Sequence, residues 1–251
     1  MINLFKIGDL VTRISHDNDV VFKIEKISDN VVYLVGVDVR LCADSDINDL
    51  VLVDTVQNSD DKNFYDKLHE IRKFERGDYF YIPGKILHVD GDRQYLKRCL
   101  DFYKKANVLA FGIYSPEEEM SSNIEKYLED INPDIVVITG HDSSIKQNSK
   151  YFSDTVKVCR KYQRDYDKLI IIAGACQSEY EQLIKSGANF ASSPKKINVH
   201  ALDPAIIALS LSLTDKKEDI DLLELISKTS CGKEGFGGVN TIGVMTTGYP
   251  R

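Results

Sequence analysis

His141 and Cys176 are the residues whose types and settings could do chemistry together. Each follows an apolar run. Ile135-Val136-Val137-Ile138 leads into Thr139-Gly140-His141-Asp142, and Leu169-Ile170-Ile171-Ile172 leads into Gly174-Ala175-Cys176-Gln177. An imidazole within reach of a thiol can take its proton, which gives the nucleophile and general base of an acyl-transfer site. A cysteine between a buried strand and the first turn of a helix also meets free N–H groups and a helix dipole, both of which favour the thiolate. The backbone N–H groups of Cys176 and Asp142 could then form an oxyanion hole. Plainer readings stand beside these. Cys176 could be a buried small apolar residue, as Cys99 and Cys159 are read on their helix faces, and a loop histidine is often a surface or capping residue. Asp142 could orient the imidazole, although an adjacent residue often points elsewhere.

Such a pairing requires His141 and Cys176 to leave one edge of a sheet. Unalternated β-branched runs separated by a helical pattern read as parallel strands buried on both faces, and parallel neighbours bring their carboxyl ends to one edge. The strand through Tyr81-Ile-Pro-Gly-Lys-Ile-Leu-His-Val89 ends in Asp90-Gly91-Asp92, which places Asp90 and Asp92 at the same edge, near where strand order would reverse. A carboxylate there would select a substrate Arg or Lys, because a buried charge needs an opposite partner. The alternative is a turn with a helix cap, which suffices for Asp92. His88 reads as core, and His200 with Asp203 as a cap before a helix. The spacings match neither a phosphate-binding glycine loop nor a metal-ligand set, and the chemistry requires no cofactor.

The remaining pattern predicts an α/β fold. Three short β-like runs, Leu10–Ile14, Val20–Ile24 and Val31–Val37, are separated by Asp/Asn-rich turns and read as a small SH3-like β-barrel over residues 1–53. Residues 54–77 read as a linker, polar at Val56–Lys62, with a short charged helix over Tyr65–Phe74. From residue 78 to 251, strands and helices alternate. Helices are expected over Gln94–Ala106, around Ile124–Ile131, over Asp154–Tyr162, through Tyr180–Ile184, over Asp203–Leu213 and over Ile220–Ile226, with strands at Val108–Tyr114 and Asn189–Ser193. This order predicts a three-layer sandwich around a mainly parallel sheet. Gly232–Gly238 reads as a flexible loop.

Composition narrows the classes. The 251 residues are 43% hydrophobic and 28% charged, enough for a substantial core. A net charge of −7 without a basic block argues against nucleic acid as a partner. The five cysteines are widely spread with no CxxC spacing, which fits a reduced compartment. The sequence has no run long enough to span a membrane and no apolar leader, so a cytoplasmic protein is expected.

The pairing of an apolar strand followed by His with an apolar strand followed by Ala-Cys resembles the caspase, clostripain and gingipain group of cysteine peptidases. That group usually has His-Gly where this chain has His141-Asp142. The wider resemblance is to the YabG family of sporulation-specific cysteine proteases and covers nearly the whole chain. Its motifs are Gly8-Asp9-Leu10-Val11, Val37-Asp38-Val39-Arg40-Leu41, Gly84-Lys-Ile-Leu-His-Val-Asp-Gly-Asp92, Asp134-Ile-Val-Val-Ile-Thr-Gly-His-Asp142, Ala173-Gly-Ala-Cys-Gln-Ser178, Gly187-Ala-Asn-Phe-Ala-Ser-Ser-Pro194 and Asn198-Val-His-Ala-Leu-Asp-Pro204.

The resemblance implies a caspase-like peptidase domain and an endopeptidase of the sporulating mother cell. It would process spore coat or cortex-associated proteins, cleave after Arg and process itself. Family members carry longer connections after the barrel and after the Gly-His-Asp turn than this chain does, which bears on self-processing. Two other readings remain open: a glutaminase-like thiol amidohydrolase, and a non-enzymatic spore-coat interaction protein.

Overall fold

Alternating and unalternated apolar patterns produce two different sheets. The computed structural model describes residues 5–53, 59–71, 80–142 and 148–249. Strands β1 (Leu10–Arg13), β2 (Phe22–Ser28), β3 (Val31–Gly36), β4 (Cys42–Asp46) and β5 (Leu50–Leu52) form an antiparallel sheet in the order β4-β3-β2-β1-β5. This is the region expected as a barrel. Residues such as Val32 and Leu34 face inward while their neighbours face out, as the period of two demands. Strand β4, Cys42-Ala-Asp-Ser-Asp46, has no apolar alternation to announce it in the sequence, and its polar composition suits a sheet edge.

Part of the expected linker is helical. Helix α1 spans Ser59–Ile71, six residues earlier than the expected start at Tyr65, because Phe64 and Leu68 are buried and anchor it. The rest of the linker expectation, at 54–58 and 72–77, lies outside the described residues.

The second sheet is mixed and mostly parallel. Its strands are β7 (Ile86–Asp90), β8 (Ala110–Tyr114), β9 (Ile135–Thr139), β10 (Ile170–Ala173), β11 (Phe190–Ser192) and β12 (Phe236–Gly238), in the order β12-β11-β10-β9-β7-β8. The expected strand over Tyr81–Val89 is broken. Pro83 has no N–H for a ladder, and a side chain on Gly84 would collide with Val244. Residues Phe80–Ile82 therefore form a separate strand, β6, paired with β13 (Thr246–Gly248). The stretch Gly232–Gly238, expected as a flexible loop, forms instead a helical turn and a strand. Its β12 runs antiparallel to β11, and Gly238 lies so close to Phe190 that a Cβ would sit 2.5 Å from the ring.

Helices cover both faces. Helices α2 (Arg93–Lys105) and α6 (Asp203–Ser212) pack on the face of Ile86, Ile135, Val137, Ile170 and Ile172, a core continuous with that of the antiparallel sheet. Helices α3 (Glu117–Ile131), α4 (Ser149–Tyr162) and α5 (Tyr180–Ser186) cover Leu87, Val89, Val136, Ile138 and Ile171. Each fully buried aliphatic side chain contributes about 1.5–3 kcal/mol to this packing. Helix α7 (Leu222–Ser227) and the short α8 (Gly232–Gly235) lie between α6 and β12 in the chain.

Strands β8 and β9 lie on opposite sides of β7, so strand order reverses at β7. The carboxyl ends of β7 and β9 flank that reversal, where clefts form in such sheets. No described helix is long and apolar enough to cross a membrane.

Candidate functional site

Strands β9 and β10 are adjacent and parallel, in the register Val137↔Ile172 and Ile138↔Ala173. Their carboxyl ends deliver the His141 and Cys176 turns to one edge. A latch joins the turns: Asp142 accepts hydrogen bonds from Ser178 Oγ at 3.0 Å, from Asn148 N at 2.9 Å and from the Ser149 hydroxyl. Asp142 thus ties the loops together instead of orienting the imidazole.

His141 is held from three sides. Its backbone N–H donates to Glu117 Oε1 at 3.0 Å, and its carbonyl accepts from Asn148 Nδ2 at 2.8 Å. Its Nε2 lies 3.1 Å from Asp92 Oδ2. Glu117 is itself buried, and its carboxylate fills the space beneath two turns. A Cβ on Gly91 would lie 2.5 Å from it and a Cβ on Gly140 2.7 Å, so a side chain at either turn would displace Glu117. Burial works to lower the His141 pKa, but the hydrogen bond it donates to Asp92 and the contact with Cys42 outweigh burial and push it up to about 9. Among the described residues His141 Nδ1 has no hydrogen-bond partner, and the Tyr95 ring lies 5.3 Å from the imidazole.

Cys176 is fully buried. Its sulfur accepts from Val199 N at 3.2 Å and donates to Val199 O at 3.6 Å, and no hydrogen bond joins it to His141 among the described residues. Burial pushes its thiol up to about 12, against the opposing effect of the Val199 and Arg40 backbones. The helix expected through Tyr180–Ile184 spans Tyr180–Ser186, four residues beyond Cys176, so the expected dipole does not act on the sulfur. The turn is shaped by Gly174 at φ +112° and by the Ser178 hydroxyl, which accepts from Ala175 N at 2.9 Å. Among the described residues, no backbone hydrogen bond engages the N–H of Cys176 or of Asp142.

The two aspartates after β7 have different partners. Asp92 caps α2, accepting from Gln94 N at 2.6 Å and Tyr95 N at 3.0 Å through Oδ1, while Oδ2 faces His141. Burial opposes its ionisation, but the His141 ring and the Tyr95 amide outweigh burial and lower its pKa. The cap was legible in the sequence; the histidine contact was not, because residues 49 apart meet only once β7 and β9 are paired.

Asp90 is fully buried and already holds an arginine. Arg40 Nη1 is 3.1 Å from Oδ1 and Nη2 is 2.8 Å from Oδ2, a forked pair. Burial opposes its charge as well, but Arg40 and then His88 outweigh it and keep the carboxyl well below the usual range. Thr139 Oγ1 donates to Asp90 Oδ2 at 2.9 Å, and Asp92 N to Oδ1 at 2.9 Å. His88 is core as expected, bonded to Tyr103 and Thr139. His200 accepts from Leu202 N through Nδ1, and Asp203 accepts from His200 N, which closes the turn before α6.

Comparison with known proteins adds three findings. The family described as YabG peptidase U57 matches residues 6–250. The sporulation-specific protease YabG of Bacillus subtilis (strain 168) is 40% identical over 284 aligned residues, covering 98% of each chain. Among solved structures, an alanine–glyoxylate aminotransferase from Nostoc sp. aligns with a TM-score of 0.33 and 11% identity, over 65% of this chain and 49% of that one, a likeness too weak to carry any argument.

Proposed function

Because the chain belongs to the YabG peptidase U57 family, a family of proteases, we propose that it is a sporulation protease of the cysteine type, with Cys176 as nucleophile and His141 as base. The observation that carries this reading is the parallel pairing of β9 with β10, which sends His141 and Cys176 from one sheet edge with their turns latched through Asp142 and Ser178. Asp92 holds the imidazole by Nε2, leaving Nδ1 as the atom that exchanges a proton.

In the first step, Nδ1 takes the thiol proton as sulfur attacks the substrate carbonyl carbon. The N–H groups of Cys176 and Asp142 receive the developing oxyanion. The imidazolium then protonates the leaving amine, the C–N bond breaks, and a water activated by the same nitrogen releases the acyl group from sulfur. Asp90 reads an arginine on the acyl side of the scissile bond, as its forked pairing with Arg40 illustrates.

The finer assignments belong to the same proposal. They are a caspase-like sandwich over residues 78–251, an SH3-like module over 1–53, action on spore coat and cortex-associated proteins from the mother-cell cytoplasm, and self-processing. The test compares wild type with Cys176→Ala on short amides ending in Arg, Lys, Asp or Gln. Arg-selective release that is lost in the variant supports the proposal. Equal release by both proteins removes Cys176 from the mechanism.

A further inference from the structure

The sequence predicts at Asp90 a pocket for a substrate arginine, yet the arginine found there comes from the chain itself. Arg40 lies between β3 and β4, 50 residues from its partner, and is wholly buried. Its guanidinium also donates to Ala201 O at 3.2 Å and lies 4.9 Å from the centre of the Tyr95 ring.

The backbone around Arg40 is paired in extended form with the loop that precedes α6. Val39 and His200 form an antiparallel bridge, Arg40 N donates to Val199 O at 3.2 Å, and Ala201 N donates to Asp38 O at 2.9 Å. Tyr95 Oη donates to Val39 O at 2.8 Å, and Arg98 Nη1 donates to Val37 O at 2.7 Å. Main-chain pairing for affinity combined with a side-chain pocket for specificity is how extended peptides are held. The same Val199 that pairs with Arg40 exchanges hydrogen bonds with Cys176 Sγ, and the Arg40 backbone is among the contacts that favour the thiolate. On the far side of the bond, Cys42 lies against His141. The Arg40–Leu41 bond therefore runs between the residue beside the sulfur and the residue beside the imidazole.

We propose that Asp38–Leu41 occupies the substrate cleft as a tethered substrate, with Arg40 in the Asp90 pocket, so that the Arg40–Leu41 bond is where the chain processes itself and unmasks the cleft. The proposal rests on the cysteine peptidase reading above. Cys176 sulfur bonds to the Arg40 carbonyl carbon, the C–N bond to Leu41 breaks, and His141 transfers the thiol proton to the Leu41 amine. Water then hydrolyses the thioester, leaving an Arg40 carboxylate and a free thiol. Leu41 N donates to Val39 O at 2.9 Å, a tight turn that must open as Leu41 leaves. Once cut, Arg40 is a chain end no longer pulled into place by β4, and the pocket is open to other arginines.

The experiment follows purified full-length wild type, Cys176→Ala and Arg40→Lys by intact mass and amino-terminal sequencing. Release of an Arg amide is measured on the same samples, and circular dichroism checks the folding of each variant. In wild type the expected result is conversion to residues 1–40 and 41–251 at a rate independent of protein concentration, with amide release rising in step. Cys176→Ala stays intact, and Arg40→Lys is cut about tenfold more slowly, since a lysine cannot reproduce the forked pair. Wild type that releases the Arg amide from the outset while remaining intact at Arg40 overturns this proposal and leaves the peptidase reading standing. A cut whose rate rises with concentration overturns the tethered geometry. Absence of amide release from every sample, with Cys176 no more reactive toward a thiol-alkylating agent than the exposed Cys231, overturns the peptidase reading itself.

Discussion

Asp92 Oδ2 lies 3.1 Å from His141 Nε2 while Oδ1 of the same carboxylate caps α2, so one side chain fixes both a helix start and an imidazole. Asparagine is as good a cap as aspartate but carries no charge. Asp92→Asn is therefore expected to fold normally and to lose about 10²- to 10⁴-fold in kcat with little change in KM. The His141 titration, followed by NMR, should move down from about 9. An unchanged titration would separate Asp92 from the imidazole.

The self-processing rate should rise with pH. With the Cys176 thiol at about 12 and the His141 imidazolium at about 9, the resting pair holds one proton too many at pH 7. Below about pH 9 the fraction of neutral imidazole, and with it the initial rate, grows about tenfold per unit. Time courses at pH 6.5, 7.5 and 8.5 test this, and a flat profile contradicts it. Burial, Asp92 and Cys42 set its value, and the Tyr95 ring lies against the imidazole.

Stability should fall on both sides of neutrality. The folded-state pKa of His141 is raised from 6.5 to about 9, so its contribution is complete below about pH 6.5 and is lost as pH rises through 9. At about 1.36 kcal/mol per pKa unit, the loss is at most about 3 kcal/mol. The folded-state pKa of His200 is lowered to about 4, chiefly by burial, so its contribution is present above 6.5 and is lost as pH falls toward 4. Urea midpoints from pH 4.5 to 9.5 on the Cys176→Ala protein should peak between about pH 6.5 and 7. A midpoint still rising at pH 9 would contradict the His141 assignment.

Arg40→Gln leaves a fully buried Asp90 carboxylate without its cation and should cost about 3–5 kcal/mol of stability. Adding Asp90→Asn removes the stranded charge, and the double variant should recover most of that loss. Denaturant unfolding of the four proteins, all in the Cys176→Ala background, gives the coupling. Additive losses would mean that the pair is not formed.

Gly91→Ala and Gly140→Ala each drive a methyl group into the Glu117 carboxylate, at 2.5 and 2.7 Å. Each should destabilise the fold by about 1–3 kcal/mol, as overpacking does. Because Glu117 also holds the His141 amide, Arg-amide release should fall by more than stability alone explains. Activity at wild-type level in either variant would remove Glu117 from the support of His141.

The sequence exposed the main sheet because its runs are apolar on both faces: Ile135–Ile138 and Ile170–Ile172 are strands, and Asn132 and Gly187 end helices in left-handed conformation. Asp92 was readable as a cap because capping is local. The forked Arg40–Asp90 pair and the Asp92–His141 contact join residues 50 and 49 apart, and no local periodicity encodes either. Arg40 lies within a segment whose hydrogen bonds go to Val199 and Ala201. The break at Pro83-Gly84 was written in the residue types, but the apolar run across it masked the signal.

The order β4-β3-β2-β1-β5 surrounds the first forty residues with strands from beyond Arg40. Strand β4 zips to β3 through five residue pairs from Val31 to Val35, and β5 pairs with β1 at the opposite edge. A molecule nicked after Arg40 would therefore remain a two-chain particle, indistinguishable from the intact one on a sizing column and resolved only when denatured. The amino-terminal piece would persist as a noncovalent subunit, born of one polypeptide and held by its own former continuation.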